Sequence, residues 1–220
     1  MLFIPIALLL FVLFILALPL LFLLGYFNII IIGFENLGIS PEATLLILFF
    51  ILTGSLINIP LTKKKLTLVR ESRFFGFFSR PRIEANYLAI NLGGAIIPAL
   101  LSIYFLFLAF IRGFGLTPIL VAIFLMTIIS KVFSRVVPGR GIVIPPLIPP
   151  LFSAFFALIL VPGFKAPTAF ISGVLGTLIG ADILNLYKIR HYRGYLSIGG
   201  AGVFDGIFLV GVVSALISSF

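Results

Sequence analysis

Apolar runs recur along this chain from MLFIPIALLLFVLFILALPLLFLLGYF at the start to GIFLVGVVSALISSF at the end. Crossing ~30 Å of hydrocarbon takes roughly 20 residues of helix, and the runs reach that length again and again. With 62% hydrophobic and 10% charged residues, the chain lacks the polar surface that would cover a water-soluble globule. The expectation is an all-α, polytopic transmembrane bundle forming a single domain over residues 1–220.

Hydropathy and helix breakers predict seven spans, at about 2–25, 43–61, 87–111, 116–134, 141–161, 167–189 and 196–219. The first run has no basic residue ahead of it and exceeds a signal-peptide core, so it reads as a retained span. Alternating the loops between the two sides sorts the cations sharply. One side receives Lys63 to Lys65, Arg70, Arg73, Arg80, Arg82, Lys131, Arg135, Arg140, Lys188, Arg190 and Arg193, and the other receives only Arg112 and Lys165. The positive-inside rule then puts the N-terminus in the cytoplasm and the C-terminus outside, in a multi-pass protein of the cell membrane.

The net charge of +9 would suggest nucleic acid in a soluble protein. Here its placement points to the lipid bilayer instead, and no nucleic-acid partner is expected. Residues 62–86 form the longest polar segment, a basic cytoplasmic loop in which RESRFFGFFSRPR interleaves arginine with phenylalanine. It reads either as a docking or regulatory element or, more simply, as a loop on anionic headgroups. Gly or Pro pairs inside apolar runs mark three distorted helices, NLGGAIIPALL (91–101), PPLIPPL (145–151) and SIGGAG (197–202).

Glu35, Glu42, Glu71 and Glu84 are expected in loops, which leaves Asp182 and Asp205 as the acids inside spans. A carboxylate there costs on the order of 2.5–3.5 kcal/mol, so both are candidate functional residues. Each lies eight or nine residues from a basic turn, roughly 12–14 Å from the boundary, on adjacent antiparallel helices. Two carboxylates sharing a low-dielectric site hold one proton near neutrality, which supplies a general base and a general acid together. A proton or cation relay would use the same pair.

In an ideal helix Gly173, Gly176 and Gly180 form a stripe opposite Asp182 that would pack on a third helix. The small residues Gly199 to Gly202 would let a neighbour or an extended peptide approach near Asp205. Asn91 and Asn185, with Asn58, read as polar support between helices. There is no cysteine and the one histidine, His191, falls in a loop, so no metal site and no cofactor are expected.

INIPL (57–61), NLGGAIIP (91–98), IPPLIPP (144–150), IGADILNL (179–186) and SIGGAGVFDGIFL (197–209) together resemble an uncharacterised family of prokaryotic multi-pass membrane proteins, a domain of unknown function numbered 1614. More distantly, the chain resembles the GxGD intramembrane aspartyl proteases: presenilin, signal peptide peptidase and the prepilin peptidases. That resemblance implies Asp182 and Asp205 as the catalytic pair. It also implies a substrate-binding role for Gly200, Gly202 and the tripeptide Pro98, Ala99, Leu100, with a transmembrane peptide as substrate. The second motif is stretched to Gly-Ala-Gly-Val-Phe-Asp, Ala181 stands where presenilins have tyrosine, and the Pro-Ala-Leu precedes the aspartates. A proton- or cation-coupled transporter and a non-catalytic membrane assembly protein are the alternatives.

Overall fold

The computed structural model describes residues 15, 18, 25, 27–62, 65–73, 78–137, 141–189, 195–199 and 206–219, with backbone alone for 65–86, 188–189, 195, 206, 208 and 219. Most of the first expected span, the turn at 190–194 and the stretch 200–205 lie outside the described residues.

The described chain is mostly helical, and its helices run back and forth between two ends. Helix α1 (Phe27–Asn36) meets α2 (Pro41–Ser55) at a bend of 115°. Both α1 and the later α3 stop at a glycine in the left-handed region, Gly38 and Gly113. Beyond each, an amide reaches back to the helix, Ile39 N to Phe34 O at 3.0 Å and Phe114 N to Ala109 O at 2.9 Å. Those bonds satisfy end carbonyls that would otherwise face hydrocarbon bare. Ser40 caps the start of α2, accepting from Ala43 N.

A π-turn (Leu92–Ile96) leads into α3 (Ile97–Ile111), followed by α4 (Leu116–Phe133) and α5 (Ile148–Leu160). Helix α6 (Lys165–Thr177) passes into a second π-turn (Leu178–Asp182), a 3-10 turn (Ile183–Asn185) and the short α7 (Leu186–Ile189). Helix α8 (Gly206–Ser219) closes the chain.

Three continuous helices are long and apolar enough to cross a membrane, Leu92–Ile111, Leu116–Phe133 and Pro162–Asn185, and the bent pair α1–α2 makes up to four. Large apolar side chains cover the outside, Phe49, Phe107, Phe110 and Phe124 among them, each more than half exposed. Such a surface suits lipid rather than water.

Helix α6 is the axis of the bundle. In the segment Pro162–Asn185, 67% of the apolar window is buried, against 33% and 28% for the other two long helices. Its sequence explains the position, because glycines, alanines and serines let neighbouring backbones close in, the main source of helix association where lipid is as apolar as leucine. A Cβ on Gly173 would meet Ser214 of α8 at 2.9 Å and Ser153 of α5 at 3.2 Å, and one on Gly176 would meet Met126 of α4 at 2.6 Å.

The all-α expectation needs correction, since six strands gather at the end of the bundle that carries the basic segments. Strand β1 (Asn58–Pro60) and β2 (Lys65–Arg73) follow one another antiparallel to the long β3 (Phe78–Asn91). Strand β6 (Tyr195–Ile198) pairs parallel with residues 87–90 of β3. It takes the opposite edge from β1, because Ala89 and Ile90 pair with both. Strands β4 (Arg135–Val137) and β5 (Gly141–Val143) make a separate hairpin between α4 and α5.

Hydropathy windows had counted residues 57–61, 87–91, 141–147 and 196–198 as helix because they are apolar. Their backbone groups instead pair with neighbouring strands. The expected loop at 62–86 is a β-hairpin, with Glu71 in β2 and Glu84 in β3. Glu35, also expected in a loop, sits exposed in the last turn of α1. Glu42 occupies the first turn of α2, where the helix N-terminus favours a negative charge.

Of the three expected distortions, NLGGAIIP forms the first π-turn, with Gly93 and Gly94 inside it. PPLIPPL places Pro149 and Pro150 in the first turn of α5, where their missing amides cost nothing. SIGGAG begins as the end of β6 and a left-handed Gly199.

Candidate functional site

The basic end of the bundle gathers the polar side chains. Where α6 breaks into its π- and 3-10 turns, i to i−4 bonding lapses and carbonyls need other donors. Asn185 meets that need from inside. It is 1% exposed, and its Nδ2 donates to Ala181 O and to Ser134 Oγ, both at 2.7 Å. Lys131, in the last turn of α4, donates from Nζ to Asn185 Oδ1 at 2.7 Å and to Leu184 O at 2.5 Å. The same ammonium stands 5.0 Å from the centre of the Tyr187 ring. The clamp joins the end of α4 to the broken end of α6.

Asp182 ends the π-turn inside this frame and is partly exposed, between the exposed Ile183 and the buried Ala181. Asp205, Gly200 and Gly202 lie outside the described residues, and Asp205 immediately precedes Gly206, the first residue of α8. The π-turn also alters the expected glycine stripe. It adds about one residue to the turn, so positions beyond it rotate by about 100° relative to an ideal helix. Gly173 faces α5 and α8, while Gly176 and Gly180 face α4, with Gly180 against Thr127 O and Ser130. The stripe thus serves two interfaces rather than one third helix.

A second polar knot lies at the junction of sheet and bundle. Asn91, 2% exposed, accepts from Gly94 N at 2.8 Å through Oδ1 and so caps the first π-turn. Its Nδ2 donates to Ser55 O, the last carbonyl of α2, at 2.7 Å and to Asn58 Oδ1 at 3.1 Å. Ser197 of β6 donates to that Asn58 oxygen at 2.6 Å. In the parallel register Ile90 lies level with Ile198, so the chain entering 199–205 departs beside Asn91.

Pro98, Ala99 and Leu100 do not share one face. Pro98 is buried in the first turn of α3, Ala99 is half-buried, and Leu100 is 58% exposed on the outer surface. Two further features escaped sequence reasoning. Lys131 was counted with a basic loop, although a lysine in the last turn of an apolar helix is the available signal for a carbonyl-capping role. Three hydroxyls, Ser130 Oγ, Thr168 Oγ1 and Thr177 Oγ1, are buried without a hydrogen-bond partner. No group of acidic, histidine or cysteine side chains suited to a metal ion occurs among the described residues.

The family described as protein of unknown function (DUF1614) matches residues 52–217. The chain belongs to that family. The matched region runs from the second half of α2 into the last turn of α8. In this DUF1614 chain it therefore contains both aspartates, both polar knots and the whole sheet. No curated protein and no solved structure matches the chain. The likeness to GxGD proteases rests on the sequence motifs alone.

Proposed function

We propose that this chain is an intramembrane aspartyl protease-like hydrolase in which Asp182 and Asp205 act as a pair on a transmembrane peptide. One observation carries the reading: α6 and α8 pack antiparallel in close contact. A Cβ on Gly211 would meet Val174 at 2.6 Å and Phe170 at 2.8 Å, while Gly173 abuts Val210 and Ser214. Helices interlocked at this level bring the Asp182 end of α6 and the Gly206 end of α8 to the same end of the bundle.

In the proposed reaction one carboxylate takes a proton from water as the water oxygen adds to the scissile carbonyl carbon. The protonated partner donates to the carbonyl oxygen. The tetrahedral diol then collapses, its C–N bond breaks, and the leaving nitrogen takes up a proton, so the pair again holds one. Among the described residues β6 pairs with β3 on one edge and with no strand on the other. That open edge gives an extended peptide a backbone to bind. The full reading has seven spans, a cytoplasmic N-terminus, and both acids near the cytoplasmic face of the cell membrane.

The test uses the purified chain in proteoliposomes with a labelled transmembrane peptide. Asp182→Asn and Asp205→Asn should each reduce cleavage by about 10²- to 10⁴-fold, with unchanged size-exclusion profiles. Cleavage that survives either change removes the proposal.

A second reading, a proton- or cation-coupled transporter, draws on the unpartnered hydroxyls of Ser130, Thr168 and Thr177 inside the bundle. Such atoms offer ligands to water or an ion on a path through the protein. It requires pH-dependent uptake into proteoliposomes that Thr177→Val and Asp182→Asn both suppress.

A further inference from the structure

The hairpin β2–β3 sorts its residues in a way that the bare sequence hides. Its register pairs Lys65 with Asn86, Thr67 with Glu84, Val69 with Arg82 and Glu71 with Arg80. Because successive strand residues alternate between faces, these positions share one face, together with Arg73 and Phe78. The intervening positions share the other, and there Leu66 pairs with Ala85 and Leu68 with Ile83. One face is charged and the other is apolar near the bundle, with Arg70, Ser72 and Ser79 following toward the tip.

The apolar face has a defined direction. Strand β3 is continuous from Phe78 to Asn91, so Ile83 and Ala85 lie on the same face as Ala89 and Asn91. Ala89 is 0% exposed and Asn91 bonds to the end of α2. The face that carries Leu66, Leu68, Ile83 and Ala85 is therefore the outward continuation of the one seated on the transmembrane bundle. Beyond the rim of the bundle, that side of the hairpin meets the bilayer.

Charge agrees with this placement. Residues 63–86 hold seven basic and two acidic residues, and the tip sequence is Phe74-Phe75-Gly76-Phe77. A sheet is about 10 Å thick, so its charged face stands about 5 Å above the strand plane, within the ~10 Å Debye length of a surface beneath it. We infer that β2–β3 is a lipid-binding hairpin that lies on the membrane surface at the basic end of the bundle, apolar face down, and recognises anionic headgroups. The inference stands independently of any catalytic role for the aspartates.

The chain contains no tryptophan, so a single introduced one reports alone. Leu66→Trp, Thr67→Trp, Leu68→Trp and Val69→Trp in the full-length protein, reconstituted into vesicles with brominated acyl chains, read both faces in sequence. The expected result is alternation: strong quenching at 66 and 68, weak at 67 and 69, in vesicles of mixed phosphatidylglycerol and phosphatidylcholine. In pure phosphatidylcholine the quenching at 66 and 68 should fall. Arg80→Gln and Arg82→Gln should each weaken hairpin association about fivefold, the equivalent of about 1 kcal/mol per basic residue near an anionic surface. Equal quenching at all four positions overturns the inference, as does alternation that ignores lipid charge. A buried, unquenched tryptophan at 66 or 68 would assign the apolar face to a protein partner and overturn it too.

Discussion

Asn185 uses both amide protons and its oxygen in contacts that no other residue could supply together. Replacing it with leucine removes the acceptor for Lys131 Nζ and the donor for Ala181 O. The partly buried ammonium then loses a charge-assisted bond, worth about 1.5–3 kcal/mol. Asn185→Leu is expected to lower the thermal unfolding midpoint in detergent by an amount in that range. Lys131→Met should cost about as much, since Leu184 O and Asn185 Oδ1 lose their donor. The double variant should be less destabilised than the sum of the single ones, because the second change removes a partner already orphaned. Strict additivity would show that the clamp does not act as a unit. At this scale the sequence was legible to a degree: Asn91 and Asn185 stand out as amides in apolar helices. Lys131 did not, because nothing in one dimension reveals that a helix fifty residues later will break beside it.

Among the elements, the crossing of α2 with the first π-turn leaves the least room. A Cβ on Gly93 would run into the carbonyl oxygen of Ile51 and would lie 2.5 Å from Ser55 N, both backbone atoms that cannot swing aside. Gly93→Ala should therefore part α2 from the π-turn and break the bonds from Asn91 to Ser55 and Asn58. Fluorescence-detected size exclusion should show loss of the monodisperse species. A stable, monodisperse Gly93→Ala protein would contradict the backbone approach described. By contrast, Ser214→Ala should cost only about 0.6 kcal/mol, near the average for hydrogen bonds between membrane helices. The hydroxyls of Ser153 and Ser214 lie 2.6 Å apart, but each can also donate to a carbonyl of its own helix. The Gly pair at 93–94 announced a distortion in the sequence. That the distortion would be a π-turn capped by Asn91 depended on the neighbour it accommodates.

For the whole molecule, the hairpin is an appendage to a bundle that holds together without it. Leu88 N donates to Thr62 Oγ1 at 2.9 Å, so the chain leaves and re-enters the sheet at nearly one point. The inner part of β3 keeps its pairing with β1 and β6 regardless of β2. Replacing residues 65–86 with a short Gly-Ser link is expected to leave a folded, monodisperse protein with a thermal midpoint within a few degrees of the parent. Its affinity for anionic vesicles, read with the detergent-purified chain, should fall. Collapse of the fold would instead make the hairpin a structural part of the bundle.

Length and hydropathy alone determined that this chain belongs in a membrane and is mostly helical, because apolar runs near the bilayer thickness have no stable alternative in water. The gathering of basic residues into a few segments was equally legible, since it follows from order along the chain. What only the tertiary structure decided was which apolar segments are strands. LTLV, YLAI and YLSI satisfy a hydropathy window as well as a helix does, and their hydrogen bonds go to partners far along the chain that no local pattern names. The direction of side chains beyond a helix break belongs to the same class. Asp182 follows a π-turn, and one added residue turns everything after it through about 100°. Composition sets the solvent a chain requires, whereas backbone pairing and helix phase are set by contacts between distant segments.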